Sequence, residues 1–129
     1  MDKKGLVKYW VKTAEHDYDT MLALYRSKRY SACLFFGHIV LEKILKALVV
    51  QETKKDAPYI HNLIRLYELA KLESDDDLMI FLGQVNEFNI RTRYPEYKLD
   101  FYKKCTGEFT KKYHGKIKKL YNQLCQKIK

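Results

Sequence analysis

Residues 30–50, YSACLFFGHIVLEKILKALVV, are apolar on nearly every helical face, too long for a strand and bounded by polar residues. Such a segment is a helix enclosed by other helices, because a single neighbour would leave most of its apolar surface in water. Its few polar residues keep a pattern. His38, Glu42 and Lys46 recur every four residues and form one stripe, with Lys43 beside it. On a buried helix that stripe either pairs internally and snorkels to the rim or frames a functional site.

Ahead of it, over residues 4–27, Val7, Trp10, Val11, Ala14, Tyr18, Met21, Leu22 and Tyr25 step by three and four, which predicts an amphipathic helix. Asp17 falls near the seam, where a carboxylate needs a cation from the central helix, and Lys43 or Lys46 can supply it. The short break at residues 27–29 predicts an antiparallel neighbour.

Behind it, the polar loop QETKKDAP ends at Pro58, and a helix opens near His61 with Leu63, Ile64, Leu66, Tyr67 and Leu69 on it. A lone histidine at a helix start is first a capping or packing residue. Ser74 then reads as an N-cap with Asp77 in the box position and Asp75 and Asp76 at the positive end of the dipole, so the acidic run needs no metal. That helix is expected to reach about residue 89.

In NIRTRYPEY, residues 89–97, Pro95 forces Tyr94 into an extended backbone. Arg91 and Arg93 with Tyr94 and Tyr97 on a fixed corner offer phosphate contacts and stacking faces, or serve only as a solvated loop. From Leu99 onward, Tyr102, Cys105, Phe109, Tyr113, Ile117, Leu120, Leu124 and Ile128 form one more helical stripe, opposed by Lys103, Lys104, Lys111, Lys112, Lys118 and Lys119. Gly107 and Gly115 cost it roughly 1 kcal/mol each, which allows a kink.

The expected fold is therefore all-α, in one domain spanning residues 1–129. A net charge of +9 fits an anionic partner such as nucleic acid, nucleotide phosphate or an acidic protein. Cys33, Cys105 and Cys125 are odd in number and widely spaced, which fits reduced thiols and the cytoplasm rather than a zinc or redox motif. No stretch approaches the ~18 apolar residues of a membrane span, and no signal peptide is evident. Glycine-rich phosphate loops, nucleophile elbows and HExxH are also missing.

Trp10, Ala14 and Asp17, then RYSACLFFGHIVLEKILKAL with its EKxxKA pattern at Glu42, Lys43, Lys46 and Ala47, then His61, Asn62 and Leu63, and finally the RYPE corner at residues 91–96 together resemble the HEPN domains. The resemblance covers nearly the whole chain. It implies an antiparallel up-and-down bundle of four long helices plus a shorter one, commonly a homodimer, acting beside a minimal nucleotidyltransferase in a two-component, toxin-antitoxin-like pair. Many members are metal-independent ribonucleases with an Arg-x4-6-His motif. Here the positions after Arg91 and Arg93 hold Glu96, Tyr97, Lys98, Leu99 and Asp100, so that histidine is missing. RYP-corner members look more like binding versions of the fold, akin to the domain near the end of the chaperone-like protein sacsin.

The leading expectation is thus a nucleotide- or RNA-binding protein without a resident cofactor beyond a bound nucleotide and without robust catalysis of its own. Arg91, Arg93, Tyr94, Tyr97, His61, Lys43 and Lys46 would meet the ligand, and Asp17, His38 and Glu42 would form a structural polar network. One alternative is a ribonuclease toxin with a non-standard site built from Arg91 and His61 or His114. Another is a bundle that only binds other proteins.

Overall fold

A computed structural model describes residues 1–129 as an all-helical chain without strands. Its elements are α1 (Lys3–Arg26), α2 (Tyr30–Thr53), α3 (Leu63–Leu69), α4 (Asp76–Arg93), α5 (Pro95–Lys104) and α6 (Gly107–Cys125). α2 contributes 13 of the 33 buried residues, so the other helices are layers around it. α1, α3, α4 and α6 all pack against α2.

Helix directions follow from which side chains meet. Met21 lies beside Gly37, Asp17 pairs with Lys43, and Trp10 lies under Lys46, so α1 runs antiparallel to α2. Cys33 meets His114, Gly37 meets Ile117, and Gln51 bonds the segment after α6, so α2 and α6 run parallel. Phe81 faces Tyr113 while Phe88 faces Phe109, which sets α4 antiparallel to α6. Consecutive long helices therefore alternate up and down, as a four-helix bundle requires.

Local chemistry sets the boundaries. Asp2, Asn62, Asp75 and Thr106 each accept a backbone N–H in the first turn of the helix they precede. Lys28, with φ 62°, turns the chain between α1 and α2, and Lys54, with φ 60°, ends α2. At Gly37 α2 and α6 approach closely, since a Cβ there would lie 2.6 Å from Ile117 Cδ1.

Three expectations need correction. The cap of α4 is Asp75, one residue past Ser74, because the Asp75 carboxylate takes the Leu78 N–H at 2.8 Å. α4 continues to Arg93, since Pro95 excludes only Tyr94 from helical geometry. The final stripe is two helices, because Thr106 caps a new start; α5 buries only Phe101 and leaves Leu99 and Tyr102 exposed. Two short helices, α3 and α5, thus accompany the four long ones.

Candidate functional site

The four-residue spacing on α2 places His38, Glu42 and Lys46 along one side, facing α1 and the segment that leads into α3. Lys46 Nζ donates to Glu42 Oε2 at 3.0 Å and lies 5.4 Å from the centre of the Trp10 ring. Lys43 donates to Asp17 on α1. Lys46 is almost fully enclosed and Glu42 only slightly open, so their pairing satisfies charges that would otherwise be costly to bury.

His61 stands over Glu42, with Nδ1 2.9 Å from Oε1. Glu42 accepts from Nδ1–H, which leaves Nε2 as the free ring nitrogen on a side chain that is 63% exposed. The backbone on which His61 sits is held from α4. Asn86 Oδ1 takes the Leu63 N–H at 3.0 Å, and Asn86 Nδ2 donates to Asn62 Oδ1 at 3.0 Å.

Behind it, His38 Nε2 donates to the His61 carbonyl at 2.9 Å while Nδ1 accepts from Asn89 Nδ2 at 3.3 Å. These two bonds assign His38 as a neutral imidazole. Burial lowers its pKa, outweighing the opposite pull of Glu42, whose Oε1 is too distant at 3.8 Å for a hydrogen bond. Asn89 Oδ1 in turn accepts from Arg93 Nη1 at 3.4 Å. A continuous polar chain therefore runs from Lys46 through Glu42, His61, His38 and Asn89 to Arg93. With Asp17 and Lys43 alongside, the cluster holds two carboxylates against three fixed cations.

The structure separates the two arginines. Positions two apart on a helix differ by about 200° in direction, so Arg91 leaves α4 on the far side from Arg93. Arg91 lies 3.8 Å from Glu87 and lines a cavity of about 160 Å³ walled by Phe88, Phe101, Phe109 and Tyr113. A joint guanidinium pair on an extended corner is not formed. Tyr94 and Tyr97 are half-exposed at the junction of α4 and α5.

His114 is in the core. Its ring stacks on Tyr25 with centroids 4.3 Å apart, its Nδ1 lies 3.6 Å from Cys33 Sγ, and burial pushes its pKa down to about 4. It shares no partner with Arg91 or Arg93. Cys33 and Cys105 are enclosed as well, and burial raises both thiols to about 12, far from nucleophilic. No three His, Cys, Asp or Glu side chains converge as a metal would need. No helix is long and apolar enough to cross a membrane. The C-terminal lysines line the outside of α5 and α6, where Lys104 and Lys112 lie over the rings of Phe109 and Tyr113.

Asn86 and Asn89 were not anticipated from the sequence. Their one signal is a pair of amides one turn apart among the apolar residues from Phe81 to Ile90, with Arg93 four residues beyond Asn89.

No curated protein and no solved structure matches the chain. The family model for the HEPN domain matches residues 7–127, which takes in five helices whole, all but the first four residues of α1, and every residue of the polar chain. With nearly its whole length matched and a bundle of alternating helices around α2, the chain belongs to the HEPN domain family.

Proposed function

We propose that the protein binds the phosphate of a nucleotide or RNA at the surface where the polar chain exposes His61 and ends in Arg93. One observation carries this reading: an exposed histidine is fixed by a carboxylate and hydrogen-bonded through His38 and Asn89 to an arginine, in a cluster with surplus positive charge. Arg93 supplies a charged fork for phosphate, and Tyr94 and Tyr97 supply stacking faces. Lys43 and Lys46, spent on Asp17 and Glu42, hold the frame rather than the ligand. In keeping with the resemblance, the protein acts as a cytoplasmic homodimer beside a minimal nucleotidyltransferase. The exposed apolar residues Ile90, Leu99 and Tyr102 on α4 and α5 support a second copy docking there.

Titration calorimetry with ATP, GTP and a short RNA at low salt tests the site. Arg93→Ala and His61→Ala should each weaken binding by roughly tenfold to a hundredfold while Arg91→Ala retains it. Absence of heat with all three ligands at millimolar concentration overturns the reading.

The free Nε2 of His61 favours a second reading, metal-independent RNA cleavage. There Nε2 would take the proton of a ribose 2′-hydroxyl as its oxygen bonds phosphorus, the bond to the 5′-oxygen breaks, and the leaving oxygen takes a proton from water. Labelled RNA incubated in EDTA separates the two: cleavage lost in His61→Ala and Arg93→Ala supports catalysis, and intact RNA supports binding alone.

A further inference from the structure

Away from the polar chain, the first half of α1, the end of α2 and the segment after α6 enclose a groove of about 930 Å³. Val7, Val11, Val50 and Ile128 form its floor. Gln51 builds one wall by bonding Lys127 O at 3.0 Å and Lys129 N at 2.9 Å, which fastens that segment to α2. No residue of α1 before Ala14 is buried, so this half of the helix shows an apolar face that the bundle leaves only partly covered.

Around the floor stand Lys3, Lys4, Lys8, Lys12, Lys54 and Lys129, with Glu15 as the sole acid. Lys3 pairs with Asp56 at 2.7 Å, and the other five have no ion-pair partner. Ammonium groups on both walls repel one another until an anion is shared between them. The groove contains neither arginine nor an aromatic ring, so it lacks the forked contacts and stacking platforms by which nucleic acid is held. An apolar floor, meanwhile, is filled only by an apolar ligand face. The lysines on α1 extend from Lys3 to Lys12, about 14 Å at 1.5 Å per residue, which asks for several anionic groups in a row rather than one headgroup.

We propose that this groove receives an acidic amphipathic helix of a partner protein, its apolar stripe on the valines and its carboxylates among the lysines. This site shares no residue with the proposed nucleotide surface and stands without it.

The probe is a fluorescein-labelled synthetic peptide of roughly 18 residues with leucine at helical i, i+3, i+4 and i+7 spacing and glutamate on both flanks. Its control is a peptide of the same composition in scrambled order. With the full chain, fluorescence anisotropy should show saturable binding of the patterned peptide and at least about tenfold weaker binding of the scrambled one. Lys8→Glu with Lys12→Glu, both exposed and harmless to folding, should weaken the patterned peptide at least about tenfold, as should Val7→Asp. Arg93→Ala should leave peptide binding unchanged, so loss of the nucleotide site and loss of this one are separable. Equal affinity for both peptides, or none for either, overturns the proposal. So does displacement of the peptide by labelled RNA or by phosphatidylglycerol vesicles, which would make the groove a nucleic-acid or membrane surface instead.

Discussion

His61 Nδ1 lies 2.9 Å from Glu42 Oε1, while the other oxygen of the same carboxylate holds the enclosed Lys46 at 3.0 Å. One acid thus orients an exposed ring and neutralises a buried ammonium. Glu42→Gln should cost roughly 3 kcal/mol, mostly from Lys46 left uncompensated, and Glu42→Gln with Lys46→Met should recover most of that loss. Urea denaturation of the four proteins of this cycle is the check. Additive losses would mean that Lys46 finds another partner.

The two arginines differ in what they can do. Arg93 is joined to the polar chain through Asn89, whereas Arg91 lines an aromatic cavity beside Glu87. Arg93→Ala should therefore lower RNA affinity by roughly 1 to 3 kcal/mol with little change in thermal midpoint. Neutralising Lys111, Lys112, Lys118 and Lys119 should mainly flatten the salt dependence. The reverse ranking in filter binding across a salt series would move recognition to α6.

Gly37 marks a close helix crossing. Gly37→Ala gains helix propensity but drives its methyl into Ile117 Cδ1 in a fully enclosed site, and the net loss should be about 1 kcal/mol. Ile117→Val removes that atom, so the double variant should be more stable than the sum of the single effects by roughly 1 kcal/mol. A strictly additive pair in denaturant titrations would refute the close approach.

His38 and His114 are both held neutral by burial, His114 to about 4. With folded values below the ordinary 6.5, the unfolded chain binds more protons in acid. The part due to His114 is fully present above 6.5, is lost as the pH falls toward about 4, and levels off beneath that, and His38 acts in the same direction. His114→Phe keeps the stack on Tyr25 and cannot titrate, so its stability should fall by on the order of 2 kcal/mol less over this window. Parallel pH profiles for the two proteins would remove His114 as the cause.

Where one residue's chemistry decides, the sequence was readable. The long apolar run could only be a surrounded helix, and α2 begins at Tyr30 as expected, running three residues past Val50. Asp17 needed a cation and has Lys43. Boundaries failed where equals compete: Ser74 and Asp75 are both good caps, and a proline rules out only the residue before it. The polar chain was beyond reach for a different reason. His61, His38, Asn89 and Arg93 lie on three separate segments, and their connection depends on how α4 is rotated against α2, which no local pattern encodes.

Phe101 is the only side chain that α5 buries, and Tyr94 and Cys105 break the helix at either end. Amide protons of α5 should therefore exchange with deuterium well before those of α2, through an opening that leaves the long helices shut. The half-exposed Tyr97 then rides on a hinged flap four residues along the chain from Arg93, and a ligand gripped by both would be recognised by the slowing of that exchange.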